Sequence, residues 1–308
     1  MEPVVEITDL CKSYLNEQAL NGVSLSVASG SLFGLIGADG AGKSTLLRIC
    51  TTLVSPDKGK ATVLGFDVMK EFVEIRKNIG YMPQKFSLYQ DLSVAENMQF
   101  FADLFGVTPK ERDERMKRLL DFSHLDKFQD RYARNLSGGM KQKLALSCTL
   151  IHTPKVLFLD EPTTGVDPVS RKEFWAILKE LRNQGITIIV STPYMDEAHL
   201  CDELLFLHHG KAVLQGKPDE LLESYPYPLF KISNASEMLT IAQNVKTPNG
   251  ILLMYPEGGS IHVAVQKDVD ENEVLNLIKA ILPKAESAER CPPKIEDLFI
   301  YLLSGENS

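Results

Sequence analysis

Gly37-Ala38-Asp39-Gly40-Ala41-Gly42-Lys43-Ser44 matches the pattern G-x-x-x-x-G-K-[ST]. Its glycines free the backbone for conformations that a side chain forbids, so successive N–H groups can converge on phosphate oxygens at the positive end of a following helix. On that reading Lys43 reaches the β- and γ-phosphates of a nucleoside triphosphate and the Ser44 hydroxyl ligates Mg2+. A glycine-rich turn that binds nothing is the plain alternative. The Lys-Ser pair, the apolar run before it and the helix-forming residues from Thr45 to Cys50 after it argue against that alternative. A second constellation, Val156-Leu157-Phe158-Leu159-Asp160-Glu161-Pro162, is an apolar run ending in two carboxylates. A buried strand would present both at its C-terminal edge, where open α/β sheets bind ligands. Asp160 can then hold a hydrated Mg2+, and Glu161 can orient and deprotonate an attacking water. Alone, such a pair would be read as a strand-end cap; beside a phosphate loop it completes a nucleotide site.

A third run, Asn135-Leu136-Ser137-Gly138-Gly139-Met140-Lys141-Gln142, opens a helix with a Ser-Gly-Gly cap, a second helix N-terminus suited to an anion. With it the sequence resembles an ATP-binding cassette (ABC) ATPase, in which Leu-Ser-Gly-Gly precedes the Asp-Glu strand at this spacing. The resemblance covers roughly residues 4–220 and takes in Tyr14 at the adenine-stacking position, Gln84 in the Q-loop (Gly80 to Gln84) and Gly165-Val166-Asp167 in the D-loop. Singly, Tyr14 would be a packed aromatic and Gln84 a turn residue; their order and spacing join them to the rest.

The resemblance implies an α/β P-loop NTPase (RecA-like) core with an antiparallel β subdomain and a helical insertion. It implies ATP and Mg2+ as cofactors, with ATP held by Tyr14, Gly37, Ala38, Asp39, Gly40, Ala41, Gly42, Lys43, Ser44, Thr45, Gln84 and Asp160. The metal falls to Ser44, Gln84 and, through water, Asp160, and catalysis to Glu161, Lys43 and Gln84. Ser137, Gly138 and Gly139 would face the ATP of a partner subunit, because two cassettes of this family pack head to tail around two ATP. Two departures stand out. Met140 replaces the usual Gln, with little expected effect, since Ser137 and backbone N–H groups make the phosphate contacts. Pro193, in Val190-Ser191-Thr192-Pro193-Tyr194, replaces the family's switch His; it offers neither a side-chain donor nor an N–H, which implies impaired hydrolysis at this chain's own site. Locally, Thr192 would cap the following helix with Pro193 at its first position, and His199 lies too far along to stand in. This variant resembles the first cassette of tandem-cassette efflux ATPases, which implies a heterodimer with one impaired and one competent site, the homodimer being the alternative.

These residues need a scaffold. Apolar runs at 31–36, 155–159, 187–191 and 203–207 alternate with helix-period segments, the pattern of a parallel sheet with helices on its faces. Segments 92–105 and 109–120 read as helices, within a helical subdomain at about 86–150. Phe101, Leu104 and Phe105 lie on one side of the first helix, and the charge run of the second reads as a solvated face with i,i+4 pairs. Prolines at Pro226 and Pro228 break the chain, placing a boundary between an ATPase domain, 1–225, and a small α+β accessory domain, 226–308. There the expected order is strand 229–232, helix 235–245, strand 251–255, a turn through Glu257-Gly258-Gly259-Ser260, strand 261–265, helix 271–281 and helix 295–303. A dimer brace is the preferred role for it, with a regulatory domain or a cover for the cassette as alternatives.

Composition bounds what remains. The 308 residues are 44% hydrophobic and 24% charged, as in ordinary globular chains. A net charge of −8, from 33 Lys and Arg against 41 Asp and Glu, disfavours nucleic acid as a partner. No run approaches the ~18–20 apolar residues that cross a bilayer, and the first ten residues lack a secretory signal. The expectation is a cytoplasmic chain, peripheral at the inner face of the cell membrane through permease subunits. Five dispersed cysteines read as bystander thiols, and the pair His208-His209, before Gly210, as a turn without metal spacing. The segment from Phe86 to Asn97 and the C-terminal appendage resemble the multidrug, lipid or polysaccharide efflux branch. The function expected is therefore the ATP-hydrolysing subunit of an export transporter. Two alternatives remain: a regulatory cassette with little hydrolysis, for which Pro193 is the support, and a soluble non-transport ABC ATPase, whose tandem cassettes or long coiled coils this sequence lacks.

Overall fold

The computed structural model describes residues 3–15, 17–85, 88–233, 250–257, 260–266, 269–283 and 285–305. The chain divides into two compact units, Met1–Pro218 and Asp219–Ser308, ahead of the boundary expected at 225. Tyr225 belongs to the second unit, where its ring packs edge-on to Tyr301 at 5.7 Å.

The first unit runs β1 (Pro3–Tyr14), β2 (Glu17–Ala28), β3 (Leu32–Ile36), α1 (Lys43–Cys50), β4 (Lys58–Val63), β5 (Phe66–Asp67), α2 (Phe72–Asn78), β6 (Ile79–Met82), α3 (Val94–Leu104), α4 (Pro109–Phe122), α5 (Gly138–Leu150), β7 (Val156–Asp160), α6 (Pro168–Asn183), β8 (Thr187–Thr192), β9 (Glu203–His208) and β10 (Lys211–Gly216). Its main sheet has the order β10-β9-β3-β8-β7-β6, parallel from β9 to β6 with β10 antiparallel at the edge. β3, β7 and β8 are buried along their whole length, which requires cover on both faces and explains their unbroken apolar runs. Alternate residues feed two cores. Leu32, Leu157, Leu159, Ile188 and Val190 pack with residues of α3, α5 and α6, while Phe33, Phe158, Ile189 and Leu205 join α1 and the antiparallel sheet β2-β1-β4-β5.

The helical insertion differs from expectation in detail. α3 starts at Val94, where Ser93 and Glu96 form a capping box, and buries Val94, Asn97, Met98 and Ala102. Leu104 is 65% exposed and Phe105 is exposed too, so only Phe101 of the expected trio packs on the core. In α4 the i,i+4 pair Glu111–Arg115 forms at 3.0 Å, and Arg115 also donates to the Ile151 carbonyl beyond α5. Phe86 and Ser87, in the efflux-like segment, lie outside the described residues.

The second unit contains α7 (Pro218–Glu223), whose first residue closes the first unit, then β11 (Leu229–Ile232), β12 (Ile251–Glu257), β13 (Ser260–Val265), α8 (Glu271–Lys279), β14 (Ala288–Cys291) and α9 (Ile295–Gly305). The sheet β12-β13-β11-β14 is antiparallel, and one face packs Phe230, Ile261, Val263 and Val265 on Val274 and Ile278 of α8. The helix expected at 235–245 and the turn residues Gly258 and Gly259 lie outside the described residues. No helix among the described residues is long and apolar enough to cross a membrane. Cys50, Cys148 and Cys201 are buried, and desolvation pushes their thiols up, that of Cys50 to about 12.

Candidate functional site

Sheet order builds the site. β3, β8, β7 and β6 are consecutive neighbours, so the loops leaving their C-terminal ends bring together the residues after Ile36, the end of β8 at Ser191 and Thr192, the pair Asp160-Glu161, and Gln84. The turn from β3 into α1 demands glycine at two points. Gly42 caps α1 at φ +107, where a Cβ would lie 2.4 Å from the Ala19 carbonyl oxygen, and a Cβ on Gly37 would lie 2.3 Å from that of Leu207. Gly42→Ala is therefore expected to cost about 1–3 kcal/mol in backbone strain and to open the cleft; a thermal melt and an ATP titration check this, and a wild-type melt would sink it.

Lys43 is 3% exposed. Its Nζ donates to the carbonyls of Gly37 (2.8 Å) and Ala38 (3.0 Å) and lies 3.1 Å from a Glu161 carboxylate oxygen. Ser44 donates its hydroxyl to Asp160 Oδ1 at 2.9 Å, and Ser191 donates to the same oxygen at 2.8 Å. Asp160 Oδ2 is buried without any hydrogen-bond partner. The Tyr81 hydroxyl, on the adjacent strand, is another such orphan; burial and the Asp160 charge push its pKa up.

Glu161 has φ +49, the left-handed region, which is strained for a residue with a Cβ. Its N–H donates to the Ser191 carbonyl (3.1 Å) and hydroxyl (3.0 Å), and its Oε2 accepts from Gln84 Nε2 at 2.8 Å. The carboxylate thus stands between a cation and an amide donor, and it lines a cleft of about 340 Å3.

Of the residues expected to bind nucleotide, Tyr14, Asp39, Gly40, Ala41, Gly42, Lys43, Ser44, Thr45 and Gln84 line this cleft together, joined by Glu161, expected as catalytic. Gly37 and Ala38 stand behind it as acceptors for Lys43, and Asp160 behind Ser44. Ser137, Gly138 and Gly139 are not in its lining. They form the N-terminus of α5, where the Ser137 hydroxyl accepts from the Met140 N–H at 3.3 Å and Gly139 sits so close to Ser170 that a Cβ would meet it at 2.4 Å. Asp167 caps α6 by accepting from Val169 and Ser170 N–H; the Ser170 bond leads in holding its carboxyl below the usual range.

One local reading changes. After Pro193 the chain makes a 3-10 turn, Met195–Leu200, whose N-cap is Tyr194, so Pro193 lies outside any helix; the Thr192 hydroxyl accepts from Tyr194 N–H at 3.0 Å and holds the turn entry instead. Gln84 directs its amide nitrogen to Glu161. Ser191, Glu17 and Ala19 join the site without belonging to any of the sequence motifs. Glu17 and Ala19 line the cleft from β2, whereas Ser191 ends an apolar strand beside the acid pair, a position that was itself the available signal.

The model of the ABC transporter family matches residues 20–164. The chain is 38% identical over 311 residues to the "Probable multidrug ABC transporter ATP-binding protein YbhF" of Escherichia coli K12, covering 99% of this chain and 53% of that protein, so it spans about half the length of this relative. With the Nod factor export ATP-binding protein I of Rhizobium sp. strain N33 it shares 41% identity over 310 residues, 98% of this chain and 97% of that one. Among solved structures, cbiO1 of Clostridium perfringens, part of the cbiONQ ABC transporter complex, matches with TM-score 0.66 and 28% identity over 73% of this chain and 92% of its own. The ATP-binding cassette MJ0796, solved as a dimer in a post-hydrolysis state bound to ADP and phosphate, matches with TM-score 0.64 and 26% identity over 69% of this chain and 98% of its own. Likeness at 41% identity over 98% of this chain, together with a phosphate loop and Glu161 lining one cleft and Asp160 bonded to Ser44 of that loop, places the chain in the ABC family of transporter ATP-binding proteins, which are ATPases.

Proposed function

We propose that this chain is the ATP-hydrolysing subunit of an exporter, working as one of two cassettes beneath separate membrane permease subunits at the inner face of the membrane. The observation that carries the reading is the Glu161 carboxylate, held between Lys43 and Gln84 in the cleft behind the phosphate loop. The export direction rests on the relatives whose printed names are multidrug transport and Nod factor export.

In this reading Tyr14 stacks on adenine and the N–H groups from Gly37 to Thr45 cradle the phosphates. Lys43 exchanges its carbonyl and Glu161 partners for the β- and γ-phosphates, which frees Glu161 to take a proton from the attacking water. The donor set fits Mg2+: a hydroxyl and a carboxylate whose second oxygen lacks a partner are hard oxygen ligands. Ser44, Gln84 and, through water, Asp160 would hold it, and when bound it neutralises charge building on the phosphates. Ser137, Gly138 and Gly139, away from this cleft, serve the ATP of the second cassette, where the positive end of α5 meets γ-phosphate charge. The permease would dock at an open groove of about 520 Å3 between α2 and the helical insertion, rimmed by the exposed apolar residues Val73, Leu104 and Phe105. Phosphate release by the purified chain with Mg·ATP, then with its co-purified permease, tests the proposal; no release in either preparation would refute it.

Pro193 favours a second reading, a cassette that binds ATP but turns it over slowly. It lies outside the cleft lining and carries no donor. If a missing γ-phosphate donor limits this site, Pro193→His raises turnover on the order of 10-fold or more. Unchanged turnover in that variant would dismiss the impairment.

A further inference from the structure

The proposed general base sits on strained backbone, and strain of this kind persists only where the surroundings over-determine it. One side of the restraint is the pair of bonds from Glu161 N–H to Ser191. The other is a buried carboxylate that the nucleotide chemistry does not use. Glu197, 2% exposed, lies in the 3-10 turn beyond Pro193. Its Oε1 accepts from the Thr163 hydroxyl at 2.8 Å and its Oε2 from the Thr192 hydroxyl at 2.5 Å, and both threonines are fully buried. Thr163 is two residues beyond Glu161, and Thr192 directly follows Ser191. One carboxylate therefore clasps the loop after β7 to the end of β8, on both flanks of the Glu161 peptide. Arg171 of α6 supplies the counter-charge, with Nε 3.7 Å from Oε1 and its guanidinium 4.2 Å from the Tyr194 ring centre.

We infer that Glu197 is a positioning residue for Glu161: the Thr163–Glu197–Thr192 clasp fixes the base where Pro193 supplies no side chain to do so. The inference rests on the reading of Glu161 as general base. Glu197 itself faces two threonines and an arginine, so it acts only through the loop that it holds.

A double-mutant cycle with the full chain and Mg·ATP tests it. Glu197→Ala is expected to lower kcat at least 30-fold with KM for ATP within threefold. Glu197→Gln should recover part of that loss, since its amide oxygen still accepts from one threonine. In a Glu161→Gln background, adding Glu197→Ala should change the residual rate less than twofold, because the group being positioned is gone. Amide exchange of the peptide covering 160–165 should quicken at least 10-fold in Glu197→Ala. The inference is overturned by full loss in the Glu161→Gln background as well, by KM rising in step with the fall in kcat, or by exchange at wild-type rate. If Glu197→Ala fails to fold, Thr163→Val, which removes one arm and keeps the carboxylate, takes its place with an expected fivefold fall in kcat and the same overturning outcomes. A wild-type chain without turnover refutes the proposed hydrolysis, while the exchange rates still decide the clasp.

Discussion

Glu161→Gln is expected to lower ATP turnover by about 10²–10⁴-fold, the usual worth of a positioned general base, while leaving ATP binding intact. The amide keeps the shape and can still meet Gln84 and Thr164, which now contact Oε2 at 2.8 and 3.4 Å. What disappears is the proton acceptor and the negative partner of Lys43, at present 3.1 Å away. Lys43 is then held only by the carbonyls of Gly37 and Ala38, so its charge is more available to phosphate and ATP should bind at least as tightly as to wild type. Unhydrolysed ATP should also hold the cassettes together. Phosphate release, ATP retention and sedimentation of the variant with Mg·ATP check these outcomes. Turnover within threefold of wild type would remove Glu161 from the base role.

The parts of this site that were legible in the sequence are those where one residue type answers one physical demand. Gly42 and Gly37 answer backbone approaches of 2.4 and 2.3 Å, and Lys43-Ser44 follows from what a phosphate and a hard cation require. β3, β7 and β8 were legible because burial on both faces leaves an unbroken apolar run. β1 and β2 were not named from patterning, since their pairing is broken by register shifts between Ile7 and Leu10 and again up to Ser13, which interrupt the two-residue alternation. α6 carries an Asp167 cap and Pro168 at its start, a readable helix signal that the D-loop reading of the same residues absorbed.

Thr163 and Glu197 were illegible for another reason. Each is an ordinary small polar or acidic residue whose meaning comes from a neighbour about thirty positions away, joined only when β7 and β8 pair. The expectation of a helix capped by Thr192 had the right residue and the wrong partner: its hydroxyl accepts from Tyr194 and donates to Glu197. A Glu in the first turn after a Thr reads as capping chemistry; only burial reveals it as a clasp.

The same limit governs the second unit, where Asp297→Ala is expected to destabilise by about 3–5 kcal/mol, the cost of removing one partner from a buried charged network. β13 is buried on both faces, so while Ile261 and Val263 face α8, His262 must go to the other side, and there it meets α9. Asp297, fully buried, receives the Tyr255 hydroxyl at 2.5 Å, His262 Nδ1 at 2.7 Å and the Lys294 N–H at 2.5 Å; the second His262 nitrogen lies 3.4 Å from Glu257. Burial alone would push the Asp297 carboxyl up, but the bonds from His262, Tyr255 and Lys294 outweigh it and hold it below the usual carboxylate range. A folded value below the unfolded one contributes stability that is present above the unfolded pKa of about 4 and is lost as pH falls through the folded value. Alanine leaves three donors without an acceptor, so amide exchange in β12 and β13 should accelerate strongly at neutral pH. Asp297→Asn keeps one acceptor and should soften the loss while removing this group's share of the acid limb below about pH 4. Exchange in these strands at the wild-type rate in Asp297→Ala would show that the network adds nothing to the stability of this unit.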